Sequence, residues 1–324
     1  MSRITRVLVL LTCLTALACG GGDTSEDGGA SAPRFLSMGT APPGGAFFPV
    51  GGALAEVFNA HGGSSMTAEA TSGSQENIRR LASGELDFAL SNSAITYFAV
   101  RGTEGWDQAY PVRAVMTLAP NVAMFVAPAG GDVNVIADLA GRRVSVGPAG
   151  AGFEYFVRPL LAAHGVTYED FSPVNATQAG AVDLLTDGSV ASAFLGGAVP
   201  TASVTQAAAV QDIVLIPFDE AAKEQLIADY LFFRSATIPA GTYRGVDTDF
   251  DGLDVGSMHL ITSADADEEL VYAVTKALYE NREAVVERHA AGRAINPANV
   301  VRDTGTEFHP GAIRFYQEIG IWQQ

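Results

Sequence analysis

Two glycine-rich strand-to-helix junctions are the stretches of this chain best suited to chemistry. The first reads Phe35-Leu-Ser-Met-Gly-Thr-Ala-Pro-Pro-Gly-Gly-Ala-Phe-Phe48 and runs into the helical pattern Gly51-Gly-Ala-Leu-Ala-Glu-Val-Phe58. The second reads Arg143-Val-Ser-Val-Gly-Pro-Ala-Gly-Ala-Gly-Phe-Glu-Tyr-Phe156 and runs into Val157-Arg-Pro-Leu-Leu-Ala-Ala163. Such junctions leave the first N–H groups of a helix unpaired, and glycine has no Cβ to keep a ligand away from them. One junction per lobe predicts an anion held between two facing helix N-termini. The candidate contacts are Thr40, Gly44, Gly45 and Phe47 in the first junction and Gly150, Ala151 and Gly152 in the second.

Further candidates lie in the loops that follow buried segments. Thr71-Ser-Gly-Ser-Gln75 precedes a helix expected to begin near Glu76; its hydroxyls either cap that helix or, through Ser74, face the cleft. Ser91 and Asn92 directly follow an apolar strand, and Gly196 and Gly197 are their second-lobe counterparts, with Gly197 offering only backbone. Catalysis has no local support. The histidines His61, His164, His259, His289 and His309 show no metal-binding spacing, no Gly-x-Ser-x-Gly elbow precedes a helix, and neither glycine loop ends in Gly-Lys-Ser/Thr. We expect no catalytic residue, no metal and no cofactor.

The elements that must position these loops form a repeat. Asn77-Ile-Arg-Arg-Leu-Ala-Ser-Gly-Glu-Leu-Asp-Phe-Ala-Leu90 matches Ala181-Val-Asp-Leu-Leu-Thr-Asp-Gly-Ser-Val-Ala-Ser-Ala-Phe194: an amphipathic helix, a glycine stop at Gly84 or Gly188, and a short buried strand. Two copies in the same order predict an α/β protein of two similar lobes with βαβ crossovers. The apolar stretch Ala114 to Ala127 reads as the extended crossing into the second lobe, and Gly256 to Thr262 as the return. Two crossings make a hinge. The expected lobes are 34–122 plus 262–324, and 123–261. Ala266 to Ala290 reads as one long helix, and Ala312 to Ile319 as a final helix packing back on the first lobe.

Residues 1–18 read as a lipoprotein signal peptide, with Arg3 and Arg6 ahead of the apolar run Val7 to Ala18. That run is shorter than the roughly 20 residues of a membrane-spanning helix. Cys19 follows a small residue and opens a Gly/Ser-rich tether over 19–33, so it is the candidate for lipidation and for export to the periplasmic or cell-envelope face. Cys13 and Cys19 are the only cysteines, which excludes a disulfide in the remainder. The net charge is −17; the leader carries two of the nineteen basic residues and no acid, leaving −19 on the rest. Lysine occurs only at Lys223 and Lys276. Nucleic-acid binding, which rewards basic patches, is excluded as an expectation.

With these motifs in place, the chain resembles the TAXI-type extracytoplasmic solute receptors of TRAP transporters. The matching stretches are Gly39-Thr40 through Gly52, Thr71-Ser-Gly-Ser-Gln-Glu-Asn77, Gly141-Arg-Arg-Val-Ser-Val-Gly147 with Ala149-Gly-Ala-Gly152, Gly197-Ala-Val-Pro-Thr201, Ile238-Pro-Ala-Gly-Thr-Tyr243 and His309-Pro-Gly-Ala-Ile-Arg314. The resemblance implies an α/β two-lobe periplasmic binding protein fold of the type II kind, in a monomeric receptor that captures a small organic anion, typically glutamate, glutamine or a 2-oxo or dicarboxylic acid. It also implies delivery to a TRAP permease, with membrane contact through the lipid anchor only. A sensory or adhesive surface lipoprotein with the same fold is the alternative. Three departures make the site less polar than the family pattern: Phe47-Phe48 for Tyr-Tyr, Leu90-Ser91-Asn92 for Gln-Ser-Asp, and Gly150-Ala151-Gly152 for Gly-Ser-Gly.

Overall fold

The computed structural model describes residues 35–323, so the signal peptide, the tether and Cys19 lie outside the described residues. The chain begins β1 (Phe35–Gly39), α1 (Phe47–His61), β2 (Ser65–Glu69), α2 (Ser74–Ala82), β3 (Phe88–Asn92), α3 (Ser93–Ala99) and β4 (Val112–Thr117). It continues with β5 (Phe125–Pro128), β6 (Arg143–Ser145), α4 (Glu154–Ala163), β7 (Ser172–Val174), α5 (Gln178–Thr186), β8 (Ser192–Phe194), α6 (Ala202–Val210), β9 (Ile213–Leu215) and α7 (Glu220–Asp229). The last part holds β10 (Phe233–Ile238), β11 (Phe250–Val255), β12 (Met258–Ser263), α8 (Glu268–Glu280), α9 (Arg282–Arg288), α10 (Pro297–Val300) and α11 (Pro310–Glu318).

Two five-stranded sheets carry the repeat. The first runs β2-β1-β3-β12-β4 and the second β7-β6-β8-β5-β9, while β10 and β11 form a separate antiparallel ribbon. The two orders are the same if β6 stands for β1, β7 for β2, β8 for β3, β9 for β4 and β5 for β12. In both sheets the strand in fourth place is antiparallel to its neighbours. Those odd strands are the ends of the two crossings: β5 begins where the chain enters the second lobe, β12 where it returns. The glycine stops are as expected, with Gly84 and Gly188 both at φ 76 after the helix ends, a conformation that suits glycine.

Two helical expectations need correction. The stretch from Ala266 to Ala290 is not one helix; it breaks at Asn281, between α8 and α9. Asn281 Nδ2 donates to the Ala277 carbonyl at 2.8 Å, a side-chain bond that competes with the helical ladder. The start of α1 comes a turn earlier than the pattern from Gly51 implies, at Phe47. The final helix, α11, does pack on the first lobe: Phe315 and Tyr316 are fully buried in the same apolar cluster as Leu54, Val115 and Val274.

The crossings lie side by side. Leu118 N–H donates to Met258 O (2.8 Å), Ala123 N–H to Leu253 O (2.8 Å) and Val255 N–H to Asn121 O (3.0 Å). The outbound stretch is not extended throughout, because β4 ends at Thr117 and β5 starts only at Phe125. Asp254 is buried in this hinge, accepting from Asn121 N–H at 3.0 Å and from Ser257 Oγ at 2.6 Å, with Arg302 Nη1 3.8 Å away. Arg302 also donates to Ser257. Burial outweighs these partners and pushes the Asp254 carboxyl up to about 6. Nearby on β12, burial pushes His259 down to about 3; its Nε2 pairs with Thr96 Oγ1 at 2.8 Å.

The lobes are also held together by aromatic contacts. Tyr155, from the first turn of α4, lies between two aromatic rings of the first lobe. Phe98 is stacked on it at 5.9 Å and Trp106 at 5.7 Å. Gln75 Nε2 donates to the Tyr155 hydroxyl at 3.2 Å, and the Arg79 guanidinium lies 4.8 Å from the Trp106 ring. Nothing in the helical pattern of residues 153–163 marks Tyr155 for this role, since its partners come from distant parts of the chain.

Two outcomes are expected. Each aromatic pair contributes about 0.5–1.5 kcal/mol beyond its buried area, so Tyr155→Ala removes roughly 1–3 kcal/mol of closing free energy. Small-angle scattering should then show a larger radius of gyration at unchanged far-ultraviolet dichroism; an unchanged radius would refute the latch. For Asp254 the folded carboxyl binds its proton more tightly than the unfolded one. Its contribution is therefore full at low pH and declines as pH rises from about 4 to about 6. His259 acts the other way, because the unfolded chain takes up its proton first as pH falls below about 6.5. The Asp254→Asn variant isolates the first effect. Its stability relative to the natural chain should rise by on the order of 3 kcal/mol across that window in urea titrations, and parallel profiles would contradict the assignment.

Candidate functional site

The two glycine junctions face each other across a partly enclosed cavity between the lobes. It is lined from the first lobe by Gly45, Ala46, Phe47, Ser72, Gly73, Ser74 and Asn92, and from the second by Ala151, Phe153, Phe156, Gln178 and Gly197, with Asn121 of the crossing at its base. None of the lining residues is ionisable. The water-accessible volume is about 50 Å³. A single water needs about 10–15 Å³ on this measure, so there is room for a handful of heavy atoms.

The starts of α1, α2, α4 and α5 converge on this space. Three of them lack the usual side-chain cap: the N-cap residues are Ala46, Gly73 and Phe153, and none accepts a hydrogen bond. Of the two readings of the Thr71–Gln75 turn, direct capping of α2 is not seen, although Thr71 Oγ1 accepts from the N–H of the N-cap residue Gly73 at 3.2 Å. Thr71 Oγ1 donates to Thr40 O at 3.0 Å, and the helix begins at Ser74 rather than near Glu76. Glu76 instead accepts from Ser72 N–H at 2.8 Å, which together with Arg80 holds its carboxyl below the usual range. By contrast, α7 and α8, which start far from the cavity, are capped by Asp219 and Asp267. The N–H groups of Ala46, Phe47, Ser74, Phe153 and Gln178 have no partner among the described residues. Uncapped helix starts carry partial positive charge, so the cavity favours an anion without containing a cation.

Six sequence candidates line the cavity: Gly45, Phe47, Ser74, Asn92, Ala151 and Gly197. Ser74 Oγ accepts from Asn92 N–H at 2.9 Å, and no acceptor for its own proton is present among the described residues. Asn92 reaches the wall, but its side chain is spent. Oδ1 accepts from Ala94 N–H at 2.8 Å, capping α3, and Nδ2 donates to Gly256 O at 2.7 Å, tying the wall to the hinge. Gly197 pairs with Val122 through both its N–H and its carbonyl.

The other five stand elsewhere. Thr40 is fully buried and donates to Glu69 O at 2.7 Å, bracing the strand end. Ser91 points to the opposite side of β3 from Asn92, as strand alternation requires, and pairs with Thr96 Oγ1 at 2.8 Å. Gly150, at φ 75, is exposed, with open space around it. Gly44 and Gly152 serve closure rather than contact. A Cβ on Gly44 would sit 3.3 Å from Ala179, and one on Gly152 would sit 3.0 Å from Ile95, each on the opposite lobe.

Four lining residues that bear on the ligand were not among the candidates. Gln178 belongs to a turn the sequence marks as polar, yet only the fold places it in the cavity; its Nε2 donates to Gly196 O at 2.6 Å and its Oε1 accepts from Ser203 at 3.2 Å. Phe153 and Phe156 supply the apolar wall of the second lobe. Asn121 gave the least warning, standing in an irregular link with no periodicity around it. It is 5% exposed, and its side-chain amide has no partner among the described residues.

Among the described residues no helix is long and apolar enough to cross a membrane. Solved structures of the same two-lobe fold include PhnD1 from Prochlorococcus marinus in complex with methylphosphonate. It is 9% identical, with a TM-score of 0.57 over 89% of this chain and 96% of that one. The alkanesulfonate-binding protein SsuA from Xanthomonas axonopodis pv. citri, bound to MOPS, is 15% identical, with a TM-score of 0.51 over 90% of this chain and 92% of that one. These likenesses carry the periplasmic binding protein fold. Residues 38–320 match the NMT1-like family, to which this chain therefore belongs.

Proposed function

We propose that the protein is an exported solute-binding receptor that closes on a small organic anion and presents it to a membrane permease. The observation that carries this reading is the partly enclosed, uncharged cavity onto which uncapped helix starts from both lobes open. An anion there accepts the N–H groups that are otherwise unpaired, and it does so only when the lobes are together, which couples capture to closure. The hinge between β4 and β5 and between β11 and β12 supplies the motion. The lobes we assign to 34–122 plus 262–324 and to 123–261 agree with the two sheets except at β12 (Met258–Ser263), which pairs into the first sheet and moves the return boundary to about residue 257. With no acid, base or nucleophilic pair in the lining, the site binds rather than transforms its ligand.

The motif resemblance to TAXI receptors supports a TRAP permease as the partner, a monomeric receptor, and Cys19 as a lipid anchor that keeps it near the membrane. Gly45 offers the sharpest test of capture. A Cβ there would lie 3.4 Å from Gln178 Oε1, so a larger side chain meets the other lobe. In a thermal-shift screen of amino acids, 2-oxo acids, dicarboxylates, sulfonates and phosphonates, a ligand at 100 times its Kd should add about 2.7 kcal/mol of stability to the natural chain. Gly45→Leu should lose that gain while melting near the temperature of the unliganded protein. A Gly45→Leu chain that unfolds outright would mark a structural turn instead, and a screen with no responding anion would end the capture reading.

A further inference from the structure

Resting on that reading, we infer that the ligand is a singly charged oxyanion on a short apolar body, without an ammonium group, and that Asn121 is its recognition residue. The argument starts from what the cavity holds to meet charge. A buried ammonium needs a carboxylate, and no Asp or Glu lines the space; left unpaired, it would pay several kcal/mol of desolvation. An oxyanion meets donors instead. Ser74 has a hydroxyl proton to give, the N–H groups at the starts of α1, α2 and α4 are unpaired, and Asn121 brings a free amide. Asn121 is the second, independent sign of a ligand: the residue is 5% exposed, its side-chain amide makes no hydrogen bond among the described residues, and what exposure it has is to the cavity it lines.

Its position explains why it is free. The Asn121 backbone is held on both sides, its N–H by Asp254 and its carbonyl by Val255 N–H. The side chain is thus fixed at the hinge, at the base of the cavity, without being used to fix it. A ligand bonded to Asn121 touches the crossing itself, so occupancy and hinge angle become linked.

Size and wall set the rest. About 50 Å³ is far below the roughly 300–1,000 Å³ of pockets that take drug-sized ligands, and Phe47, Phe153 and Phe156 present apolar surface. A second carboxylate would face those rings, and an amino acid would bury its ammonium against them. The shared chemistry is met by a short-chain carboxylate or a short alkylsulfonate.

The test uses calorimetric titration of the full mature chain with propionate, pyruvate and ethanesulfonate. L-Alanine, L-glutamate, succinate and the neutral isostere propionamide are run beside them. Binding of at least one of the first three, at least tenfold tighter than every comparison solute, is expected; carboxylate against sulfonate then separates the two sources of the head group. Tighter binding of L-alanine, L-glutamate or succinate would overturn the ligand class while leaving capture intact. Silence from every solute would bring down capture and this inference together. For the residue, Asn121→Asp at pH 8 should abolish binding of the responding anion, and Asn121→Ala should weaken it tenfold or more, the cost of a hydrogen bond to a charged group. Both variants should keep the melting temperature of the unliganded protein within a few degrees. If Asn121→Asp binds as tightly as the natural chain, Asn121 does not recognise the ligand.

Discussion

Unpaired backbone N–H groups at buried helix starts are the constraint around which this molecule is arranged. Each uncapped helix leaves donors that must find water, a side chain or a ligand. In α7 and α8 an aspartate takes that place, and the helix start is finished locally. In α1, α2 and α4 nothing does, and all three open on the same cavity. The absence of a cap is a local loss of stability that becomes useful only because two lobes bring such ends face to face.

The rest of the fold holds those ends in place. The common strand order of the two sheets puts the βα loops of each lobe on the side facing the other. The antiparallel fourth strands carry the crossings, so the hinge is continuous with both cores rather than a loose linker. Tyr155, between Phe98 and Trp106, adds a second tie between the lobes. Asn92 and Asn121 join cavity to hinge, the first through Gly256 and the second through Val255 and Asp254. A ligand that contacts this wall therefore acts on residues that also set the angle between the lobes.

Charge is managed in the same indirect way. The chain as a whole is strongly acidic at −17, yet its cavity contains no charged side chain. Helix starts and neutral donors provide attraction at short range, where the distant surface charge is screened by salt and solvent. The three departures from the TAXI receptor pattern fit this arrangement. Phe47 and Ala151 line the cavity without hydroxyls, and Asn92 neutralises a wall position while tying it to the hinge.

Much of the architecture was legible in the sequence, because it is written in local patterns. Helix–glycine–strand units recur with their stops at Gly84 and Gly188, and the glycine junctions announce where backbone must come close to something. These are properties of neighbouring residues, and six of the eleven candidate contacts follow from them. The remaining five do not line the cavity, for reasons of orientation and packing. Ser91 was one alternation out on its strand, Thr40 was consumed by a neighbouring strand, and Gly44 and Gly152 turned out to meet the opposite lobe. Asn121 and the Tyr155 latch could not be read at all. Their meaning depends on which distant residues surround them, and a single chain carries no local signal for a partner brought near only by folding. The sequence by itself determined that backbone donors would be exposed at two junctions; only the tertiary structure decided what shares the cavity with them, because that depends on how the lobes close.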